Sequence, residues 1–383
     1  MKVLMLSTDQ AILQAGSGPR QRMQEYAASA VADDELHIVV YNRFQDGAQQ
    51  AQREGRLYVY PMNLSSKLFY FKTGYGIAKR ILKSGGQWVI TTQDPFETGL
   101  LGFLLKKQFK IPLQMQVHTD FLSPWFGRES LKNKIRVWLG KWLVKKADGL
   151  RVVSERIRNS LLHLSPIMAA KPINVLSINV DVKKLRAVGI KTDLHQKYPQ
   201  FPHLLLLPAR FTVEKNIALA IEAMRIVKQK FSKPVGLILV GDGPQKQELG
   251  DRIKDLGLES TVIIEGWTTD IVSYYKTADV MLLTSNYEGG ARAPAEAAAV
   301  GLPVIMTDVA PANEYIQNGV NGFVVPVGDY SVLADKIVEL LANPDRQRLF
   351  KKEALKISDA FYDRNEYLKR MQSGFTSLLS ANI

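Results

Sequence analysis

Short runs of continuous hydrophobic residues recur along the chain, and each is followed by a loop or by a helical pattern. The first series begins with KVLMLST and includes ELHIVVYN, WVITT, PLQMQVH and GLRVVS. The second begins with HLLLLPAR and includes PVGLILVG, DVMLLTS, PVIMTD and GFVVPVG. Continuously apolar strands separated by helices are typical of parallel sheets buried on both faces. The pattern therefore predicts an α/β protein with two doubly wound, Rossmann-like domains and a ligand in the cleft between their strand ends.

The boundary between the two series is predicted near residues 180–200, where SINVDVKKL leads into a polar stretch with two prolines. We expect a first domain over residues 1–185 and a second over residues 186–360. Residues 361–383 predict a terminal helix, from the pattern YDRNEYLKRMQSGFTSLL.

Composition narrows the class of protein. The 383 residues include 46% hydrophobic and 23% charged positions, five scattered His and no Cys. These values are typical of a globular protein, and they exclude disulfides and thiolate metal sites. No apolar run is long enough for a transmembrane helix, and the first apolar run is too short for a signal peptide. We expect a cytoplasmic protein with no metal site.

Positive charge is concentrated in the N-terminal half. Residues 1–190 contain 28 Lys and Arg against 14 Asp and Glu, whereas residues 191–383 contain 22 against 23. Such asymmetry indicates a polyanionic partner, either nucleic acid or an anionic lipid surface, unless it serves solubility alone. Residues 131–146, LKNKIRVWLGKWLVKK, predict a basic amphipathic helix with two tryptophans. That helix suits an anionic membrane surface, although a core-packing helix has the same pattern.

Two loops that follow strands contain groups suited to phosphate. Gly16 and Gly18 open the first helix, where the backbone can approach a ligand closely and helix amides attract anions. A tight turn is the alternative explanation. Arg20 is then either a phosphate contact or a surface charge. Arg210 and Lys215 stand five residues apart just beyond a strand, and two converging cations suit a diphosphate.

Two carboxylates, Glu288 and Glu296, stand eight positions apart in TSNYEGGARAPAEAAAVGLPVIMTD. Glu288 lies in a glycine-rich loop. Glu296 lies on a short Ala-rich helix that we expect to open at Pro294, since proline is favoured at the first helical position. This layout suits a nucleotide sugar, with loop amides for the sugar and phosphate and a carboxylate for the ribose diol.

Weaker signals also follow strands. His118 ends PLQMQVH and is predicted at the edge of the first sheet. Asp94 either meets an acceptor hydroxyl or caps the next helix, and Asp120 is a similar candidate. Gly241 and Gly243, in VGDGPQKQEL, are expected to shape a strand-to-helix turn.

The order of these parts resembles the donor-binding signature of family-4 retaining glycosyltransferases of the GT-B fold. The resemblance implies that Arg210 and Lys215 grip the donor diphosphate, and that His118 and Glu288 contact the transferred sugar. It also implies that Glu296 binds the ribose hydroxyls. The implied donor-binding positions are Gly16, Gly18, Arg210, Lys215, Gly266, Trp267, Glu288, Gly289, Gly290, Ala291, Arg292 and Glu296.

The same resemblance implies metal-independent, retaining transfer from a UDP-, GDP- or ADP-sugar to an acceptor hydroxyl. Gly266 and Trp267 correspond to backbone contacts with the nucleobase, and the terminal helix is expected to cross back to the first domain. A basic, Trp-bearing first domain suggests a lipid-linked acceptor at the inner face of the cell membrane, as in polysaccharide or glycolipid assembly. The family commonly has Gly-Phe-Gly where this chain has Gly289 to Arg292, which leaves the sugar open.

Three other classes of protein remain as alternatives. A same-fold epimerase or sucrose-type synthase would share the donor pocket. A nucleic-acid-binding protein would explain the basic half, but no nucleic-acid-reading motif is visible, and the acidic pocket would then have no role. A non-catalytic binding protein would explain the altered loop after Glu288.

Overall fold

A computed structural model describes residues 1–28, 34–44, 47–361 and 363–380. These residues divide into two compact units. Unit 1 consists of Met1–Leu122, Leu131–Ser177 and the described residues from Arg364 onward, and unit 2 consists of Ser123–Ser130 and Ile178–Asp363. Among the helices that the structure describes, none combines the length and the apolar composition needed to cross a bilayer.

One eight-stranded sheet organises the described part of unit 1. Its strands are β1 (Lys2–Ser7), β2 (Glu35–Val40), β3 (Gln52–Glu54), β4 (Leu57–Pro61), β5 (Trp88–Thr92), β6 (Leu113–Val117), β7 (Gly149–Val152) and β8 (Ile173–Val175). They lie in the order β3-β4-β2-β1-β5-β6-β7-β8, and every pairing except the antiparallel β3–β4 pair is parallel. Strands β5 and β6 are buried along their whole length.

The helices of the first half of the chain are α1 (Gly18–Ala28), α2 (Tyr70–Leu82), α3 (Glu97–Phe109), α4 (Pro124–Glu129), α5 (Leu131–Leu143) and α6 (Glu155–Leu164). All of them except α4 belong to unit 1.

The described part of unit 2 contains a six-stranded, wholly parallel sheet. Its strands are β9 (His203–Pro208), β10 (Val235–Val240), β11 (Val262–Glu265), β12 (Val280–Leu283), β13 (Val304–Thr307) and β14 (Gly322–Val325), in the order β11-β10-β9-β12-β13-β14. The helices of unit 2 that follow α6 are α7 (Val182–Ala187), α8 (Leu194–Lys197), α9 (Ile217–Lys230), α10 (Lys246–Asp255), α11 (Ile271–Thr277), α12 (Arg292–Ala299), α13 (Tyr330–Leu341) and α14 (Pro344–Ser358). The last helix, α15 (Arg364–Ser380), belongs to unit 1.

Alternate residues of β9 supply two separate hydrophobic clusters. Leu205 and Leu207 pack with helices α9 and α13, whereas Leu204 and Leu206 pack with helix α12. Successive side chains of a strand point to opposite faces, so the sheet is covered on both sides. The predicted α/β architecture with two parallel sheets is confirmed.

The units differ from the predicted domain limits at two internal segments and at the start of the terminal one, since unit 2 extends to Asp363. Residues 123–130 and 178–185 lie within the predicted first domain, yet they pack with unit 2. In the first segment, the Phe126 ring is buried and meets the Tyr287 ring edge-on at 5.4 Å. In the second, α7 packs apolar side chains on the same core cluster as α12. Burial of these apolar groups decides the side on which each segment lies.

Candidate functional site

Unit 2 brings Lys215 and Glu288, which come from separate motifs, into direct contact. Lys215 Nζ lies 2.6 Å from Glu288 Oε1 and 3.2 Å from Glu214 Oε1. Ser285 Oγ also donates to Glu288 Oε1, at 2.6 Å. Burial acts to lower the pKa of Lys215, but the attraction of Glu288 and Glu214 outweighs it and raises this pKa. Lys215 is therefore a fixed cation inside unit 2.

Hydrogen bonds hold the Glu288 loop against residues 213–216. The Asn286 N–H donates to Glu214 O at 2.8 Å, and Thr284 Oγ1 donates to Lys215 O at 3.0 Å. The two segments follow β9 and β12, which are neighbours in the sheet. Because parallel strands end at the same edge, segments about 70 positions apart in sequence meet there.

Arg210 shares a carboxylate with Lys215. Its guanidinium lies 3.7 Å from Glu214 Oε2, and its side chain is 74% exposed, compared with 16% for Lys215. The two cations predicted from the sequence thus meet at one carboxylate, one of them fixed and the other open to solvent. A phosphate that displaced Glu214 would find both of them within reach of one site.

Two glycines permit a close backbone approach beside Arg210. A Cβ on Gly241 would lie 2.0 Å from Ala209 O, and one on Gly243 would lie 2.5 Å from Phe211 O. The Phe211 N–H, in turn, donates to the carbonyl of the intervening Asp242 at 2.9 Å. The expectation that these glycines shape the turn is confirmed, because a side chain at either position would collide with backbone.

We expect Gly241→Ala to lower the free energy of unfolding by about 1–3 kcal/mol, because the new methyl group would force the backbone after β9 apart. Gly250→Ala is the matched control, since nothing lies within 4 Å of a Cβ at that position on α10. This control should raise stability by roughly 0.5–1 kcal/mol. Urea denaturation measures both variants. Equal stability of Gly241→Ala and the wild type would contradict the close approach.

Glu296 is held from two sides. Arg292 Nε donates to Oε1 at 2.6 Å, and Tyr275 OH donates to Oε2 at 3.2 Å. Helix α12 begins at Arg292, two residues before the predicted start at Pro294. Proline fits the third helical position because the first four N–H groups of a helix have no intrahelical acceptor. Arg292, which departs from the family pattern, is thus paired with the carboxylate assigned to ribose.

The loop between Glu288 and α12 presents free backbone donors. In the part of the chain that the structure describes, the amides of Gly289, Gly290 and Ala291 donate to no protein acceptor. All three residues are buried, and Ala291 has a φ of 26°. Buried N–H groups normally find partners, so these amides are suited to oxygen atoms of a ligand at the start of α12.

Gly266 and Trp267 lie just after β11. The Trp267 side chain is 76% exposed, and nothing lies within 4 Å of a Cβ on Gly266. Among the described contacts, no hydrogen bond or ion pair links either residue to Lys215 or Glu288. The segment is open to a ligand and makes no polar contact with the charged pair among the described residues.

In unit 1, His118 directly follows β6. Its Nε2 lies 2.8 Å from Gln116 Oε1. Dense protein surroundings lower the pKa of His118, and the positive charges of Arg151 and Arg22 lower it further. The side chain itself is exposed to solvent, which weakens the effect of the surroundings. The charges of Arg151 and Arg22 still lower the pKa of His118. The imidazole is therefore neutral near pH 7.

The Gly16–Gly18 loop begins α1, and the structure contradicts both expected roles of Arg20. This side chain is fully buried, and its NH2 group lies 2.9 Å from Glu54 Oε1. Ser17 Oγ accepts from the Arg20 N–H at 3.1 Å, as in a helix cap. Arg20 therefore ties α1 to the strand that contains Glu54 and is not available to phosphate.

Arg22 is the cation that sequence reasoning missed. In the described residues its side chain forms no ion pair or hydrogen bond, and its NH1 lies 3.8 Å from the Cβ position of Gly18. Residues two apart on a helix point to nearly opposite sides, so the side chain of Arg22 lies on the opposite side of α1 from the buried Arg20 and is half-buried. The two-residue spacing of Arg20 and Arg22 could have indicated this from the sequence.

Asp94 caps a helix. Its Oδ1 accepts from the Phe96 N–H at 2.7 Å and from the Thr98 N–H at 3.3 Å, at the start of α3. Burial raises its pKa. The capping alternative is confirmed.

Helix α5 exposes its large apolar side chains. Leu131, Ile135, Trp138 and Trp142 are 74%, 58%, 71% and 39% exposed. The buried side of the helix is formed instead by small or polar residues and one leucine: Asn133, Gly140 and Leu143. Core packing therefore holds for Leu143 and not for these four residues of the predicted apolar stripe.

The close packing of α5 on unit 1 depends on Gly140. A Cβ at this position would lie 2.8 Å from the ring of Phe121 and 3.1 Å from that of Phe96. Exposed lysines flank the apolar stripe at Lys132, Lys134 and Lys141. Helix α5 thus presents a surface, here called the α5 stripe, that consists of Leu131, Ile135, Trp138 and Trp142.

Two family models match the chain. Glycosyltransferase Family 4 matches residues 22–184, and Glycosyl transferases group 1 matches residues 192–357. A similar curated protein is alpha-monoglucosyldiacylglycerol synthase of Streptococcus pneumoniae, 27% identical over 71% of this chain and 63% of the synthase. Another is UDP-Gal:alpha-D-GlcNAc-diphosphoundecaprenol alpha-1,3-galactosyltransferase of Escherichia coli, 25% identical over 74% of this chain and 77% of that protein.

Solved structures share the fold. Sucrose-phosphate synthase of Thermosynechococcus elongatus gives a TM-score of 0.81 at 18% identity and covers 100% of both chains. Anabaena HepE in complex with UDP-glucose gives 0.74 at 20% identity and covers 99% of this chain and 100% of its own. The two family matches and this shared architecture agree with each other, and the chain therefore belongs to the group 1, family-4 glycosyltransferases of the GT-B fold.

Proposed function

We propose that this glycosyltransferase moves a sugar from a nucleoside-diphosphate donor to an acceptor hydroxyl with retention of configuration. The observation that carries the proposal is the buried Lys215–Glu288 pair, with Arg210 on the neighbouring Glu214. Departure of a nucleoside diphosphate creates negative charge, and cations already in place stabilise that charge most effectively. The UDP-glucose in the HepE structure supports this class of donor.

Each remaining site residue has a proposed role. Glu288 and the free amides of Gly289, Gly290 and Ala291 bind the transferred sugar. Glu296 binds the ribose hydroxyls, and Arg292, which pairs with Glu296, also contacts these hydroxyls. Gly16 and Gly18 offer backbone to the diphosphate or acceptor, Gly266 and Trp267 contact the nucleobase, and His118 contacts the sugar.

In the proposed reaction, the acceptor oxygen bonds to the anomeric carbon on the face from which the diphosphate departs. The bond between that carbon and the phosphate oxygen breaks, and the departing oxygen takes the acceptor proton. Lys215 and Arg210 compensate the charge on the diphosphate, which is the role that a divalent metal would otherwise fill. Among the described residues, no group of three or more His, Asp or Glu side chains is placed to hold a metal ion.

Thermal-shift measurements with UDP, GDP, ADP and their sugars identify the donor, because a ligand that binds only the folded state raises the melting temperature. Labelled donor is then incubated with and without acceptor, and NMR of the product gives its anomeric configuration. We expect an acceptor-dependent, retained linkage in the presence of EDTA. Conversion of donor without acceptor would indicate an epimerase. Transfer to a sugar phosphate would indicate a sucrose-type synthase, and binding without any transfer would indicate a non-catalytic protein.

We also propose that the acceptor is lipid-linked and that unit 1 contacts an anionic membrane surface through the α5 stripe. The stripe combines exposed tryptophans with flanking lysines, which suits the interface of an anionic bilayer. The names of the two curated relatives, a diacylglycerol glycoside synthase and a diphosphoundecaprenol galactosyltransferase, also involve lipids. Co-sedimentation is expected with phosphatidylglycerol vesicles and not with phosphatidylcholine vesicles. Recovery in the supernatant with both would remove this part of the proposal.

A further inference from the structure

Polar side chains line one face of β6, whose sequence alternates apolar and polar residues. Gln114, Gln116 and His118 are two residues apart, so they lie on the same face. Both glutamines are only 2% exposed. Helix α15 contacts this face, where Gln114 Nε2 donates to Gly374 O at 3.1 Å. Buried amides at these positions require an explanation, because apolar residues would fill the space without the free-energy cost of removing polar groups from water.

The orientation of Gln116 follows from the chemistry of arginine. Arg151 NH1 lies 3.2 Å from the Gln116 atom assigned as Oε1, and a guanidinium can only donate hydrogen bonds. That atom must therefore be the oxygen. Gln116 Nε2 correspondingly donates to Thr91 Oγ1 at 2.9 Å, which satisfies the other end of the amide.

The same oxygen determines the tautomer of His118. Gln116 Oε1 also lies 2.8 Å from His118 Nε2. A carbonyl oxygen only accepts, so Nε2 must carry a hydrogen. In a neutral imidazole the other nitrogen, Nδ1, is then unprotonated and free to accept a hydrogen bond.

Arg151 is itself fixed from a distant part of the sequence. Its NH2 group donates to Tyr367 OH on α15 at 2.8 Å, and that hydroxyl lies 3.0 Å from Tyr26 OH on α1. Arg151 is 5% exposed, so its charge acts through protein rather than water. The charged groups that act on the His118 ring are Arg151 from β7 and Arg22 from α1. Both oppose a second proton on the ring.

We propose that Gln116, Arg151 and Tyr367 are positioning residues that hold His118 as the neutral, Nε2-protonated tautomer, so that Nδ1 accepts a hydrogen bond from a substrate hydroxyl. The inference rests on the proposed function, in which His118 contacts the sugar. A protonated ring would donate from both nitrogens and could not serve as this acceptor. Helix α15 thus acts on the site through Tyr367 and Arg151.

Nitrogen-15 NMR of the five histidines of the full-length protein tests the tautomer directly, and His118→Gln assigns the signal. In the wild type we expect the Nε2–H pattern, unchanged through the range near pH 6.5 in which an ordinary histidine titrates. In Arg151→Met, the pKa of His118 should rise and the two tautomers should mix. The acid limb of kcat/KM should move to higher pH, with roughly a tenfold loss from one missing hydrogen bond.

Because Arg151 is buried, its replacement could disturb the fold, and a second, milder variant keeps the test decisive. Tyr367→Phe removes only the hydroxyl that receives the Arg151 hydrogen bond, and we expect a smaller shift in the same direction. Arg158→Met is the control, because the Arg158 side chain is 42% exposed and its ion pair among the described residues is with Glu155 on α6. An Nδ1–H pattern in the wild type, or an unchanged titration in both Arg151→Met and Tyr367→Phe, would overturn the positioning role.

The kinetic and spectroscopic outcomes are separable. If His118→Gln transfers sugar at the wild-type rate while the wild type shows the fixed tautomer, the substrate contact of His118 is overturned and the control of its tautomer is supported. If no variant and no donor gives any transfer, the proposed function fails. The NMR titration still decides whether Gln116 and Arg151 hold the ring.

Discussion

Replacement of Lys215 by alanine is expected to reduce kcat/KM for sugar transfer by about 10²–10³-fold, the loss typical when one preorganised group is removed from developing charge. The ammonium of Lys215 is held 2.6 Å from Glu288 and is mostly buried, so water cannot replace it without rearrangement of the loop. Initial rates at several donor concentrations measure the effect. Most of the loss should appear in kcat, because the leaving-group charge is largest in the transition state.

A matched control and a stability measurement accompany this variant. Lys230→Ala removes a lysine whose pair with Asp335 is about half exposed, and it should leave transfer unchanged. Lys215→Ala also leaves the Glu288 carboxylate buried without its cation, which is destabilising. The double variant Lys215→Ala/Glu288→Gln should recover part of that lost stability without recovering transfer. A folded Lys215→Ala protein with wild-type kcat/KM would contradict the proposed role.

The double substitution Ile135→Ser/Trp138→Ser is expected to weaken binding to phosphatidylglycerol vesicles by roughly 100-fold or more. Full burial of each large apolar side chain contributes about 1.5–3 kcal/mol. These residues are 58% and 71% exposed, so their replacement removes little packing inside unit 1. Co-sedimentation over a range of lipid concentrations measures the change, and transfer to a water-soluble acceptor should remain.

Leu349→Ser serves as the control for an exposed apolar residue elsewhere, because Leu349 is 52% exposed on α14 in unit 2. It should bind vesicles like the wild type. Added salt should weaken wild-type binding, since the flanking lysines act through screened charge. Equal vesicle binding by the double variant and the wild type would show that the α5 stripe is not the membrane surface.

The sequence predicts the sheets and the local motifs well because their signals are short-range. Continuous apolar runs indicate strands that are buried on both faces, and cations placed just beyond a strand meet other strand ends by the geometry of parallel sheets. The family resemblance implied that Lys215 and Glu288, from separate motifs, serve one donor pocket, and the structure places them in contact. Their part in catalysis remains a prediction.

Long-range pairing lies outside such reasoning. Arg20 is buried because Glu54, 34 positions away, accepts its hydrogen bond. The α5 pattern predicts an apolar face but not whether that face points inward, and Gly140 decides this by allowing the opposite face to pack closely. The polar alternation in LQMQVH was readable as a strand with one polar face. Its partners on α15 lie more than 200 positions away.

The return of α15 to unit 1 has a consequence for synthesis of the protein. Unit 1 is discontinuous in sequence, since the residues of unit 2 emerge from the ribosome before Arg364–Ser380. Until α15 emerges, Gln114 lacks its acceptor at Gly374 and Arg151 lacks its acceptor at Tyr367, and the face of unit 1 that α15 covers stays open to solvent. Unit 2 can therefore complete its sheet first, and the earlier-made half matures last. A chain interrupted before α15 leaves that half open to proteases and chaperones.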